Sequence, residues 1–129
     1  MQQRAGLLFL SKSTGKILLI HQDEKWTIPT FVRESSILED ARTLLEQYSH
    51  GKILPIELYL SFDKGFEYGT YVCLVDQEFL ILGIKTYAWC SMDDLPKNLH
   101  NGLKQTLQNN IIKLKLNTIL ELANSFNDV

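Results

Sequence analysis

Apolar residues open the chain in two short runs, Ala5-Gly6-Leu7-Leu8-Phe9-Leu10 and Lys16-Ile17-Leu18-Leu19-Ile20, parted by Ser11-Lys12-Ser13-Thr14-Gly15. Runs of this length around a polar stretch that closes on glycine predict a β-hairpin. A loop is expected after Trp26-Thr27-Ile28-Pro29. The period then changes. Over residues 37–49, with no proline or glycine inside, Ile37, Leu38, Ala41, Leu44, Leu45 and Tyr48 fall on one arc of a helix, and Glu39, Asp40, Arg42, Thr43, Glu46 and Gln47 fall on the other. His50-Gly51 ends this helix, because glycine just past the last periodic residue readily takes the left-handed conformation that closes one.

Residues 53–60 and 68–75 read as strands around the polar loop Ser61-Phe62-Asp63-Lys64-Gly65, and residues 79–82 and 84–90 as two further strands that part at Gly83. Ser91-Met92-Asp93-Asp94-Leu95-Pro96 reads as the start of a helix, behind which Leu99, Leu103, Leu107 and Ile111 recur every four residues. The spacing predicts a long C-terminal helix reaching about Ser125, with a break near Asn109-Asn110. No internal repeat, linker or low-complexity tract interrupts the pattern, so residues 1–129 are expected to form a single domain.

Composition narrows the classes. A chain of 129 residues with 45% hydrophobic and 22% charged residues has the makeup of an ordinary globular domain that buries a real core. A net charge of -2 gives no pull towards a phosphate backbone or an anionic membrane, which disfavours a nucleic-acid or membrane partner. Cys73 and Cys90 have neither metal nor disulfide-scaffold spacing and are expected to be free thiols, and the four-residue apolar stretch before Ser11 is too short for a signal peptide. The expected location is cytoplasmic.

The order of hairpin, Trp-x-x-Pro, loop, two-faced helix, strands, and Tyr87-x-Trp89 with Asp94-Leu95-Pro96 before a last helix resembles the Nudix hydrolase family over almost the whole chain. That family's signature is written GX5EX7REUXEEXGU, with U aliphatic. Here Glu34 is followed by residues 35–41 and then by Arg42-Thr43-Leu44-Leu45-Glu46-Gln47, a register without a gap. The resemblance implies an α/β fold, the Nudix-type α/β/α sandwich with a mixed β-sheet. It also implies Mg²⁺- or Mn²⁺-dependent hydrolysis of a nucleoside diphosphate linked to another moiety, with a small-molecule nucleotide as partner.

By the same resemblance Glu46 is a metal ligand, Arg42 the arginine that orients a glutamate, Glu34 the glutamate of the first loop, and Leu44 the aliphatic position. Thr43 and Gln47 stand where the family has two further glutamates, and Pro29-Thr30-Phe31-Val32-Arg33-Glu34 lacks the glycines that follow the proline. Hard cations want charged oxygen donors, so these departures imply weak or absent metal binding and reduced activity. A catalytically inactive Nudix-fold binding or regulatory module is therefore the alternative. Glu39, seven residues before Glu46 and about 10 Å from it along a helix axis, cannot easily share one ion with it. Glu57, Asp63 and Glu67 fall on or beside the middle strands, from which the resemblance implies that a carboxylate can approach the helix face; whether one of them or Glu39 completes the metal site is left open by the sequence.

Each of these residues also has a plainer explanation. Arg42 and Glu46 at i, i+4 suit a surface ion pair, and Glu39 and Asp40 suit the positive end of a helix dipole. Trp89 reads as core filling with its N–H satisfied, whereas Trp26 divides evenly between core and substrate stacking. His21, His50 and His100 show no metal spacing.

Overall fold

The computed structural model describes residues 2–32, 54–63, 66–80 and 86–125. Among them, seven strands form one sheet: β1 (Gln2–Ser11), β2 (Ile17–Gln22), β3 (Lys25–Thr27), β4 (Thr30–Val32), β5 (Leu54–Asp63), β6 (Phe66–Val75) and β7 (Tyr87–Cys90). Two helices follow, named here α1 (Asn101–Gln108) and α2 (Asn110–Ser125). The sheet is mixed, since β1 runs parallel to β6 from Gln2↔Phe66 to Ser11↔Val75 while all other pairs are antiparallel.

The predicted hairpin is β1–β2, and its turn uses Gly15 at φ +72°, a conformation that costs glycine nothing. The two strands stay together only at Leu10↔Ile17 and then part. Residues 25–32 fill the opening, which corrects the loop expected after Pro29. β3 pairs with β2 through Ile20↔Thr27, His21↔Trp26 and Gln22↔Lys25, and β4 pairs with β1 through Arg4↔Val32, Ala5↔Phe31 and Gly6↔Thr30. The hairpin β5–β6 is longer than expected, because Ser61, Phe62 and Asp63 continue the strand that the polar residues had suggested would end at Leu60.

Both faces of the sheet are buried. Leu8, Leu10, Ile17, Leu19 and Val72 meet Leu103, Leu107, Ile112 and Leu116 of the helices in one cluster. Leu7, Phe9, Leu18 and Cys73, on the opposite face, are fully buried as well. Continuous burial of strands such as Leu7-Leu8-Phe9-Leu10 is what a sheet covered on both sides demands. The helix expected over residues 37–49 lies outside the described residues.

Three further expectations change. Ser91-Met92-Asp93-Asp94 is a turn, with the Ser91 hydroxyl accepting from the Asp93 N–H, and the helix starts only at Asn101. Phe79 and Leu80 belong to no strand. The C-terminal helix does break, since Asn109 is extended at φ -70°, ψ 125°, and its side chain caps α2 by accepting from the N–H groups of Ile111 and Ile112. That extended residue shifts the helical phase, so Ile112 is buried in place of Ile111, which is 66% exposed. No helix among the described residues is long and apolar enough to cross a membrane.

Candidate active site

The signature segment is anchored at both ends by the sheet. β4 ends at Val32, in the row Val32–Arg4–Tyr68–Ser61 that crosses β4, β1, β6 and β5, and the chain resumes in β5 at Leu54, opposite Leu74. Residues 33–53 thus connect strands three places apart, a separation of about 14 Å, with β1 and β6 between. Glu34, Arg42 and Glu46 lie in this connection, outside the described residues, as do Glu39, Thr43 and Gln47.

The strand acids are placed by register. Glu67 stands opposite Gln3 of β1 and Phe62 of β5, one row from Val32; Asp63 stands opposite Phe66; Glu57 stands opposite Tyr71, beside the irregularity between Glu57 and Tyr59. Tyr71 shares its row with Leu7, about 10 Å along the strand from the row of Val32. Glu67 is therefore one row from the start of the signature segment, and Glu57 is well removed from that start. Among the described residues no three His, Cys, Asp or Glu side chains come together to hold a metal ion.

Trp26 is fixed from several sides. Its N–H donates to Asn98 O at 2.7 Å, and its carbonyl accepts from the His100 N–H at 2.8 Å, so that Leu99 bridges β3 in parallel fashion. Its half-buried indole packs on the core cluster and meets the His21 ring edge-on at 5.0 Å. The strand pairing and these contacts hold the ring just before the turn into β4, with part of its surface open.

Trp89 is half-buried against an aromatic neighbour. Its indole N–H donates to Phe79 O at 3.1 Å, and Phe79 stands edge-on between Trp89, at 5.2 Å, and Phe9, at 5.6 Å. His100, given no role by spacing alone, both ties down Trp26 and caps α1, its Nδ1 accepting from the Gly102 N–H at 3.2 Å. The signal for it was its position one residue after the first buried leucine of the stripe, Leu99.

No family model matches the sequence, and neither does any curated protein. Solved structures do. A Nudix-family hydrolase from Clostridium perfringens superimposes with a TM-score of 0.65 at 11% identity, over 87% of this chain and 96% of its own. The Ap4A hydrolase of C. elegans, in a binary complex, gives 0.62 at 14% identity over 87% and 95%. The dihydroneopterin triphosphate pyrophosphohydrolase of E. coli gives 0.60 at 12% identity over 86% and 95%. At such identities the shared property is the path of the backbone, which matches over more than four fifths of this chain. The chain has the fold of the Nudix hydrolases.

Proposed function

We propose that this chain is a Nudix-type hydrolase of a nucleoside diphosphate linked to another moiety, dependent on Mg²⁺ or Mn²⁺ and less active than a protein with the full signature. The observation that carries the reading is the fold, taken with the gap-free run from Glu34 to Gln47 in the connection between β4 and β5. Two of the structural neighbours are named for cleaving polyphosphates, Ap4A in one and dihydroneopterin triphosphate in the other. In this reading Glu46 holds the metal ion, Arg42, four residues before it, orients the carboxylate, and Glu34 assists. A bound Mg²⁺ or Mn²⁺ would neutralise the diphosphate and lower the pKa of a water. Glu67, one row from Val32, is the strand acid best placed to add a charge. The partly open face of Trp26 offers a flat surface for a base.

A second reading, a binding module without chemistry, is favoured by Thr43, Gln47 and the residues after Pro29. Thr30 and Phe31 are hydrogen-bonded into β4 against Gly6 and Ala5, and they lack the freedom of glycine to pass close to a phosphate.

The test is phosphate release from nucleotide sugars, dinucleoside polyphosphates and triphosphates with Mg²⁺ or Mn²⁺. Wild type should turn over slowly and Glu46→Gln not at all, while Thr43→Glu with Gln47→Glu should tighten metal binding in calorimetry. Turnover that survives Glu46→Gln would remove the residue assignment. Nucleotide binding with no turnover in any variant would leave the binding module.

A further inference from the structure

Asn101 and Gly102 form the first turn of α1, and both are exposed. An asparagine followed by glycine is the pair most open to spontaneous deamidation, because the following backbone nitrogen, unhindered by a Cβ, can attack the side-chain carbonyl carbon. Here that nitrogen is occupied. Its N–H donates to His100 Nδ1 at 3.2 Å, so the imidazole lies over the amide that would have to act as nucleophile. A Cβ at position 102 would meet His100 Cε1 at 3.4 Å, an ordinary van der Waals contact, so alanine can replace this glycine without displacing the ring. Among the described residues no hydrogen bond holds the Asn101 carboxamide.

We propose that Asn101-Gly102 is a deamidation site whose rate is set by the His100 cap, independently of any hydrolase activity. In the reaction the Gly102 nitrogen bonds to Asn101 Cγ, the Cγ–Nδ2 bond breaks, and ammonia leaves with the proton that the Gly102 nitrogen gives up. Water then opens the succinimide at either carbonyl, giving aspartate or isoaspartate. Attack requires the first turn of α1 to open, so the rate follows the population of the opened turn. The products matter locally. Aspartate adds a negative charge at the positive end of α1, and isoaspartate lengthens the backbone one residue beyond the His100 N–H that holds Trp26.

The experiment follows deamidation of the whole chain at mildly alkaline pH, reading the tryptic peptide of residues 98–104 by fragmentation mass spectrometry. Asn98, followed by bulky Leu99, is an internal control. Native wild type should deamidate at Asn101 far more slowly than the same chain in urea. His100→Ala should accelerate the native reaction by about fivefold, the factor expected for loss of an average cap. His100→Ser, whose hydroxyl can accept the same N–H, should return the rate towards that of wild type. Gly102→Ala, at a helical position that accepts alanine well, should abolish it. In urea all the variants that keep Gly102 should react alike, which separates the cap from any change in intrinsic reactivity. Equal native rates for wild type and His100→Ala, whether fast or undetectable, would overturn the proposal. So would a native wild-type rate equal to that in urea.

Discussion

The two thiols differ through their surroundings alone. Burial raises Cys73 from the ordinary 9.0 to about 12. Cys90 is half-buried and is also raised, first by burial, with Lys16 lowering it and Asp94 raising it. A thiol that ionises near 9.0 in the unfolded chain and near 12 in the native one binds the proton more tightly when folded. Its contribution to stability is full below the unfolded value and is lost as pH rises through this window. Urea midpoints measured at about pH 8 and about pH 10 should therefore fall further for wild type than for Cys73→Ala. An equal fall would show that Cys73 is not the group responsible. A thiol reagent should label Cys90 in the native protein and Cys73 only after unfolding, since the thiolate is the reacting species.

Among the elements, α2 provides the sharpest contrast between pattern and packing. Ile111 and Ile112 are equally apolar neighbours, yet the first is 66% exposed and the second 4%. Ile112→Ala should cost about 2–5 kcal/mol and Ile111→Ala less than about 0.5 kcal/mol in chemical denaturation. Similar costs would contradict the phase shift at Asn109. The sequence made Leu99, Leu103 and Leu107 legible, because an unbroken period needs no knowledge of tertiary partners. The Asn109-Asn110 pair announced a break, but not the dihedrals that decide which isoleucine turns inward. β4 was illegible for a different reason. Thr30-Phe31-Val32 is too short to show alternation, and its partner, Arg4-Ala5-Gly6, is remote in sequence. For the site, the sequence alone carries Glu34, Arg42 and Glu46, whereas the tie between His100 and Trp26 is made by backbone groups, which leave no trace in residue identity.

At the scale of the whole molecule, the sheet joins two buried layers. Trp26 packs on the side of α1 and α2, and Trp89, opposite Leu18, packs on the other side with Phe79 and Phe9. Because Leu7 and Leu8, or Leu18 and Leu19, are adjacent residues of one strand buried on opposite faces, neither layer can come apart without disturbing the other. The single-tryptophan variants Trp26→Phe and Trp89→Phe should each unfold in urea with fluorescence and far-ultraviolet dichroism transitions that coincide. A fluorescence midpoint that leads or lags the dichroism in either variant would show that the two faces melt separately.

The parallel ladder between β1 and β6 also bears on how the chain is born. Gln2 finds its partner in Phe66 and Ser11 in Val75, so β1, made well before β6, has its longest edge unmatched until β6 has been synthesised. Pairings between such distant residues carry a large loop-closure cost and form late. Until then Leu7-Leu8-Phe9-Leu10, fully buried in the finished sheet, stands as an apolar strand with one open edge. Such an edge is a template for pairing with another chain, so the nascent protein is most vulnerable to aggregation, and most in need of a chaperone, during the interval between synthesis of β1 and arrival of β6.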